Sequence, residues 1–163
     1  MGTWINYFTA TGSIASALTG LIFVGLSVNL KKIFCITKAH LPTRSLGSLA
    51  LLTNIVFVCN FCLIPGQPKA VLGGEISIIA IAIWLTTSRL DLKAYHRIED
   101  LYKKLYFRNF FFLQFSILPF LIAGILLVCG SENAFYVMVP GIIFSFIKSL
   151  LDTWFIIVDI NKQ

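Results

Sequence analysis

Three ionisable side chains lie inside long apolar stretches of this 163-residue sequence, where a charge needs a chemical explanation. Lys148 lies near the middle of the last apolar run, and Asp152 follows it by four residues. On an α-helix this spacing places both side chains on one face, where they can form an ion pair. Glu75 lies about one turn inside the start of another apolar run. Ionisable residues at membrane depth are costly, and they are therefore candidates for a functional role.

Four amide side chains also fall within or beside the apolar runs: Asn29, Asn54, Asn60 and Gln114. Together with the three charged residues, they supply polar groups at inner, central and outer levels of a bilayer. If their faces converge, the sequence predicts a polar pathway for an ion, a proton or a small polar solute. The alternative is structural: the Lys148–Asp152 pair joins helices, and the amides form hydrogen bonds of modest strength between helices.

The composition indicates that lipid surrounds these residues. Hydrophobic residues make up 58% of the chain and charged residues 12%, and the mean hydropathy is +0.88. A soluble domain has about 45–50% apolar and about 25% charged residues. The chain therefore has too few charged residues to cover a water-soluble globule, and its length suits a single domain, 1–163.

Five apolar runs approach the roughly 20 residues needed to cross the hydrocarbon core as a helix. They cover about 7–30, 46–64, 71–87, 110–128 and 134–160. An isolated apolar run satisfies its own backbone hydrogen bonds in lipid only as a helix. The sequence therefore predicts an all-α integral membrane protein, built as a bundle of five transmembrane helices.

The basic residues predict the orientation of this bundle. With five spans, the first and third connections lie on the same side of the membrane as the C-terminus. Four Lys and Arg residues fall in the first of these connections, six in the other, and Lys162 near the C-terminus. Because basic loops remain in the cytoplasm, we predict an N-terminus outside, a cytoplasmic C-terminus and a multi-pass location in the plasma (inner) membrane.

The connection 88–108 is the most strongly charged part of the chain. Its apolar residues recur at helical spacing, which predicts an amphipathic cytoplasmic helical connection between the third and fourth spans. It could extend the third span or bend onto the membrane surface. Its basic side chains are candidates for binding anionic lipid or a cytoplasmic protein partner: Arg89, Lys93, Arg97, Lys103, Lys104 and Arg108. A solvated pair of helices is the alternative interpretation.

Small residues recur four apart in the first span, at Gly12, Ser16 and Gly20. Residues of this type and spacing allow two helix backbones to approach closely. The pattern predicts a helix-packing seam, either within one chain or between copies in a homo-oligomer.

No catalytic motif is present. HExxH, GxSxG, P-loop and GxGxxG patterns do not occur, and His40 and His96 fall in predicted connections without a paired acid or cysteine. The sequence therefore predicts no enzymatic activity, no catalytic residues, no metal site and no cofactor. The alternation of basic connections with apolar runs indicates membrane topology and not nucleic-acid binding.

One resemblance is carried by the stretch TGLIFVGLSVNLKK at 19–32, by Leu41–Arg44 and by Pro65–Gln67. These segments resemble those of uncharacterised small polytopic bacterial membrane proteins. The resemblance covers roughly the first 75 residues. It implies a bacterial plasma-membrane protein and no particular activity.

Two functions fit the sequence best, and an intramembrane enzyme is a distant third option. The first is a homo-oligomeric channel or solute pathway lined by part of the polar set. The alternative is a non-conducting accessory or regulatory membrane protein, which binds a partner or anionic lipid through the cytoplasmic helix. The direction of the Lys148–Asp152 face distinguishes them, because a channel needs this face to line an axis or a cavity.

Overall fold

The computed structural model describes residues 2–29, 40–95, 100–131 and 133–161. Over these ranges the chain forms five α-helices: α1 Gly2–Val28, α2 His40–Leu63, α3 Lys69–Tyr95, α4 Asp100–Val128 and α5 Ala134–Asn161. The rest of the described chain forms turns and short loops, without any strand. Each helix contains a segment long and apolar enough to cross a membrane. The prediction of an all-helical chain with five potential membrane helices is therefore confirmed.

Most residues of the charged connection 88–108 belong to the two helices that flank it. α3 continues to Tyr95 and α4 begins at Asp100, so both extend well beyond the predicted apolar spans. The sequence has neither Gly nor Pro from Glu75 to Leu118, so no residue there interrupts helical hydrogen bonding. Arg97 lies outside the described residues, and so do the side chains of Lys103 and Lys104.

α2 occupies the middle of the bundle. It packs against α1, α3 and α5, while α3 packs against α4 and α4 against α5. Arg44, near the start of α2, contacts both Asn109 of α4 and Asp152 of α5. These contacts show that α2 and α4 begin at the end of the bundle where α3 and α5 finish. We call this the Arg44 end. The opposite end, where Trp4 of α1 meets Tyr136 of α5, is the Trp4 end.

The interior and the surface are both apolar. Leu51, Ile76 and Phe120 are fully buried at the centre, whereas Leu21 and Phe115 are 70% and 61% exposed. Large exposed hydrophobic side chains occur on all five helices. A soluble monomer rarely exposes apolar patches larger than a few hundred Å². Lipid is the surrounding medium that fits such a surface.

Glycines bring α3 and α4 into very close contact. A Cβ atom at Gly73 would lie 2.5 Å from the carbonyl oxygen of Gly124 and 2.8 Å from the Cβ atom of Leu127. A Cβ atom at Gly124 would clash with the hydroxyl of Ser77. These helices can therefore reach their observed separation only with glycine at both positions.

The predicted small-residue seam on α1 divides between two surfaces. Gly12 faces α2, where an added Cβ atom would lie 3.1 Å from the Cβ atom of Cys59. Ser16 is exposed, and nothing lies within 4 Å of a Cβ atom placed at Gly20. Within the chain, the close approach is therefore confined to Gly12.

Candidate functional site

One face of α5 is polar and points into the bundle. It carries Ser145, Lys148, Ser149 and Asp152, whose exposures range from 0% to 4%. The spacings of three and four residues place these side chains in one row along the helix. The surrounding apolar residues of α5, such as Ile147 and Leu151, are exposed and face outward. The helix therefore buries its polar row, while a large part of its apolar surface faces the surroundings.

Lys148 and Asp152 form the predicted ion pair. The Lys148 ammonium donates a hydrogen bond to Oδ2 of Asp152, and both residues are buried. The pairing is local to α5, because residues four apart on a helix are neighbours. The structure places the pair inside the bundle, where other helices supply further partners.

Arg44 of α2 is the second cation on Asp152. Its Nε atom lies 3.5 Å from Oδ1 of Asp152, so each carboxylate oxygen faces a different cation. A terminal guanidinium nitrogen of Arg44 also donates to Oδ1 of Asn109 at 3.4 Å. The guanidinium carbon lies 5.3 Å from the ring centroid of Phe155, within cation–π range. Arg44 thereby joins α2, α4 and α5 at one point.

Asp91 of α3 completes a charge cluster, which we define as Arg44, Asp91, Lys148 and Asp152. Asp91 is 7% exposed and lines the same small cavity as the other three residues. Two cations and two carboxylates make the cluster formally neutral. The cavity between them measures about 10 Å³. This is about the space that one water molecule requires.

Polar contacts continue for one turn from the charge cluster toward the middle of the bundle. The Ser149 hydroxyl donates to the backbone carbonyl of Ser48 at 3.1 Å, which joins α5 to α2. The Ser48 hydroxyl donates in turn to the carbonyl of Arg44 at 3.0 Å. These bonds hold the two helices in register beside the cluster.

Two buried polar side chains lie closer to the middle of the bundle than the charge cluster does. Neither amide atom of Asn54, nor the hydroxyl of Ser145, has a hydrogen-bond partner among the described residues. Both residues are fully buried. An unsatisfied buried polar group costs about 1–3 kcal/mol. The sequence offers Asn54 as a pathway residue or as a hydrogen-bond partner between helices, whereas its amide makes neither kind of polar contact within the described part of the chain.

The structure places Glu75 and Gln114 apart from the charge cluster. Glu75 accepts a hydrogen bond of 2.6 Å from the side chain of Gln67, which attaches the α2–α3 loop to α3. Gln114 accepts a hydrogen bond from the Trp84 indole and donates to the Ser88 hydroxyl at 3.2 Å. Gln114 thus joins α4 to α3 along a partly exposed face.

Asn29 and Asn60 also lie outside the cluster. Asn29 donates to the carbonyl of Gly25 at 2.9 Å, and Asn60 donates to the carbonyl of Val56 at 2.8 Å. Both bonds stay within the helix that carries the amide. Of the seven polar residues proposed for a pathway, only Lys148 and Asp152 therefore meet in the described structure.

The basic surface is only partly described. Arg89 and Lys93 are exposed near the end of α3, and Arg108 is exposed on α4 close to the same end of the bundle. These side chains lie within about two turns of the ends of the segments that could cross a membrane, Lys69–Lys93 and Phe107–Val128. Their charges therefore lie at the level of lipid headgroups if the bundle spans a bilayer.

Sequence reasoning missed two members of the charge cluster. Arg44 falls in a predicted basic connection, and Asp91 lies beyond the predicted end of the third span at Thr87. A signal for Asp91 was present, because no Gly or Pro ends the helix after Thr87. Asn109 was missed in the same way, as a residue one position before the predicted fourth span.

Asp152 of the charge cluster already faces two cations of the protein itself. Within the described ranges, no three His, Cys, Asp or Glu side chains lie together in an arrangement that could hold a metal ion.

Comparisons with protein-family models, with curated proteins and with solved structures found no match for this chain. The resemblance to small bacterial membrane proteins therefore stays a prediction.

Proposed function

We propose that the protein is a non-conducting accessory or regulatory protein of the plasma (inner) membrane. Its N-terminus lies outside and its Arg44 end faces the cytoplasm. The observation that carries this proposal is the closure of the charge cluster inside the bundle. Lys148, the residue best placed to line a pathway, is 4% exposed and hydrogen-bonded to Asp152.

A pathway requires polar groups that remain available to a passing solute. In the charge cluster, Asp152 is shared by Lys148 and Arg44, and the adjoining space of about 10 Å³ is too small for a hydrated ion. Toward the Trp4 end the core is apolar, with Phe8 and Leu72 almost fully buried. Moving a charge past these side chains would require a large desolvation energy.

A homo-oligomeric channel is the second candidate, and one observation favours it. Ser13, Ser16 and Ser27 of α1 are exposed on the outside of the bundle. Copies of the chain could place such hydroxyls around a shared axis. The Ser13 and Ser27 hydroxyls already donate to carbonyls of their own helix, at 2.8 Å each. Because these hydroxyls already have hydrogen-bond partners, lipid can cover this face of α1 and no second copy is needed. We therefore prefer the accessory role.

The proposed partner is the anionic surface of the cytoplasmic leaflet. Arg89, Lys93 and Arg108 expose three positive charges at the Arg44 end. Attraction to an anionic leaflet contributes about 1 kcal/mol for each basic residue near the surface. The same charges support the orientation, because basic residues are retained on the cytoplasmic side.

Reconstitution into liposomes tests the absence of conduction. We expect ion and proton flux equal to that of protein-free liposomes, with an ionophore as the positive control. The full chain should also have a monomeric mass in mild detergent. Flux above background that changes in the Lys148→Met variant would overturn the proposal and restore the channel.

A further inference from the structure

An apolar groove lies between α1 and α5, in the half of the bundle nearest the Arg44 end. Ile22 and Ile156 form its floor and are 6% and 1% exposed. Leu21 and Ile157 stand at its rims and are 70% and 45% exposed. The groove has a volume of about 230 Å³, far larger than the space within the charge cluster.

The groove has an identifiable cause in the sequence. At the Trp4 end, aromatic rings fill the space between α1 and α5, with Trp4 and Tyr136 centroids 4.9 Å apart. Further along α1, Gly25 lines the groove and contributes no side chain to fill it. A Cβ atom placed at Gly25 would meet nothing within 4 Å. The space between the two helices therefore stays open on this side.

The walls favour an apolar occupant. Among the described residues, the polar ones that line the groove are Asn29 and Thr153, and each donates a hydrogen bond to a carbonyl four residues earlier in the chain. The Asn29 amide donates to the Gly25 carbonyl at 2.9 Å, and the Thr153 hydroxyl donates to the Ser149 carbonyl at 2.8 Å. Most of the groove lies within segments that could cross a membrane, Trp4–Val28 and Ala134–Val158. Hydrocarbon is the chemistry found at that depth.

The size of the groove selects among apolar occupants. A further helix, from this chain or a second copy, measures about 10–12 Å across with its side chains, so a single turn of it already exceeds the 230 Å³ of the groove. An apolar cavity of about 150 Å³ is already large enough for a benzene ring. We propose that the groove binds one acyl chain of a phospholipid from the leaflet at the Arg44 end, with its headgroup beyond Asn29. This site is independent of the proposed accessory function, because it lies on α1 and α5 and not on the basic ends of α3 and α4.

Photolabelling of the full chain in lipid nanodiscs tests the site. The probe is a phosphatidylglycerol that carries a diazirine midway along one acyl chain, and mass spectrometry locates the adducts. We expect adducts concentrated on the stretches 21–29 and 153–157. The reference surface is α4, where Phe111 and Phe115 are equally open to lipid, at 55% and 61% exposure. Labelling spread evenly over α4 and the groove would overturn the proposal.

Two glycine variants provide a matched pair. Gly25→Phe fills the groove, whereas Gly20→Phe adds the same side chain on another face of α1, also in open space. We expect loss of the groove adducts in the first variant and their retention in the second. If Gly25→Phe does not fold, the adduct map of the unmodified chain decides the question alone. An interchain disulfide formed by Gly25→Cys would show that a second copy covers the groove, and would also overturn the proposal.

Discussion

Removal of the Asp152 carboxylate is the perturbation that most directly probes the charge cluster. Asp152→Asn keeps the size of the side chain but removes the anion that Lys148 and Arg44 share. Asp91 then remains as the other carboxylate of the cluster, facing two cations. Because Lys148, Asp91 and Asp152 are buried, water can compensate this imbalance only in part.

The structure predicts unequal costs for the two halves of the ion pair. In Lys148→Met, Asp152 keeps Arg44 at 3.5 Å, so the carboxylate retains a counter-ion. In Asp152→Asn, Lys148 loses the anion that accepts its hydrogen bond. Removing one partner from a buried pair costs about 3–5 kcal/mol when the other is left uncompensated. Lys148→Met also leaves one charge of the cluster unmatched, but Asp152 keeps Arg44 as a direct partner, and loss of a buried hydrogen-bond partner costs about 1–3 kcal/mol.

We therefore expect Asp152→Asn to be more destabilising than Lys148→Met, with the double variant less destabilising than the sum of the two. The assay is reversible unfolding in mixed micelles with increasing sodium dodecyl sulfate, followed by tryptophan fluorescence. Lys93→Met is the matched control, because it removes a lysine that is exposed near the Arg44 end. It should leave the free energy of unfolding nearly unchanged.

The reasoning fails if Asp152→Asn costs no more than the control. Hydrogen bonds between membrane helices average only about 0.6 kcal/mol, because the unfolded chain in the membrane also finds partners. A value this small for Asp152→Asn would show that the cluster is no stronger than an ordinary polar contact. Equal costs for Asp152→Asn and Lys148→Met would show that Arg44 does not compensate Asp152.

Three further predictions concern packing, the unsatisfied amide and the basic surface. Gly124→Ala should destabilise the bundle by about 1–3 kcal/mol, because the added methyl group forces α4 away from α3. Gly20→Ala places the same group in open space and should leave the stability unchanged; thermal unfolding in detergent compares the two variants. Asn54→Leu should be neutral or stabilising in the same assay, because neither amide atom has a partner in the part of the chain that the structure describes. A large loss of stability would reveal a contact that the amide makes. Replacing Arg89 and Lys93 with Gln should reduce the anionic lipid retained in native mass spectra, and unchanged retention would argue for a protein partner instead.

The composition and the apolar runs were enough to predict five helices. Such runs satisfy their backbone hydrogen bonds locally, so no information about the rest of the chain is needed. The Lys148–Asp152 pair could be predicted for the same reason, because both partners lie on one turn of one helix. The helix ends were less predictable, since α3 continues through Asp91 to Tyr95 although its apolar run has finished.

The convergence of the other polar residues could not be predicted. A sequence gives the depth of Asn60 or Gln114 along a helix but not the rotation of that helix about its axis. The rotation is decided by packing, and here the contact of Gly73 with Gly124 fixes how α3 meets α4. Gln114 consequently faces Trp84 and Ser88 and not the charge cluster. Its depth along α4 did not reveal this direction.

The sequence by itself therefore determined the five long apolar helices and one local ion pair, because both depend on residues close together in the chain. The tertiary structure decided what surrounds that pair. Arg44 and Asp91 are separated from Lys148 by more than fifty residues, yet they line the same cavity. Their meeting depends on the relative rotation and register of α2, α3 and α5, and it converts an isolated pair within one helix into a closed and neutral cluster.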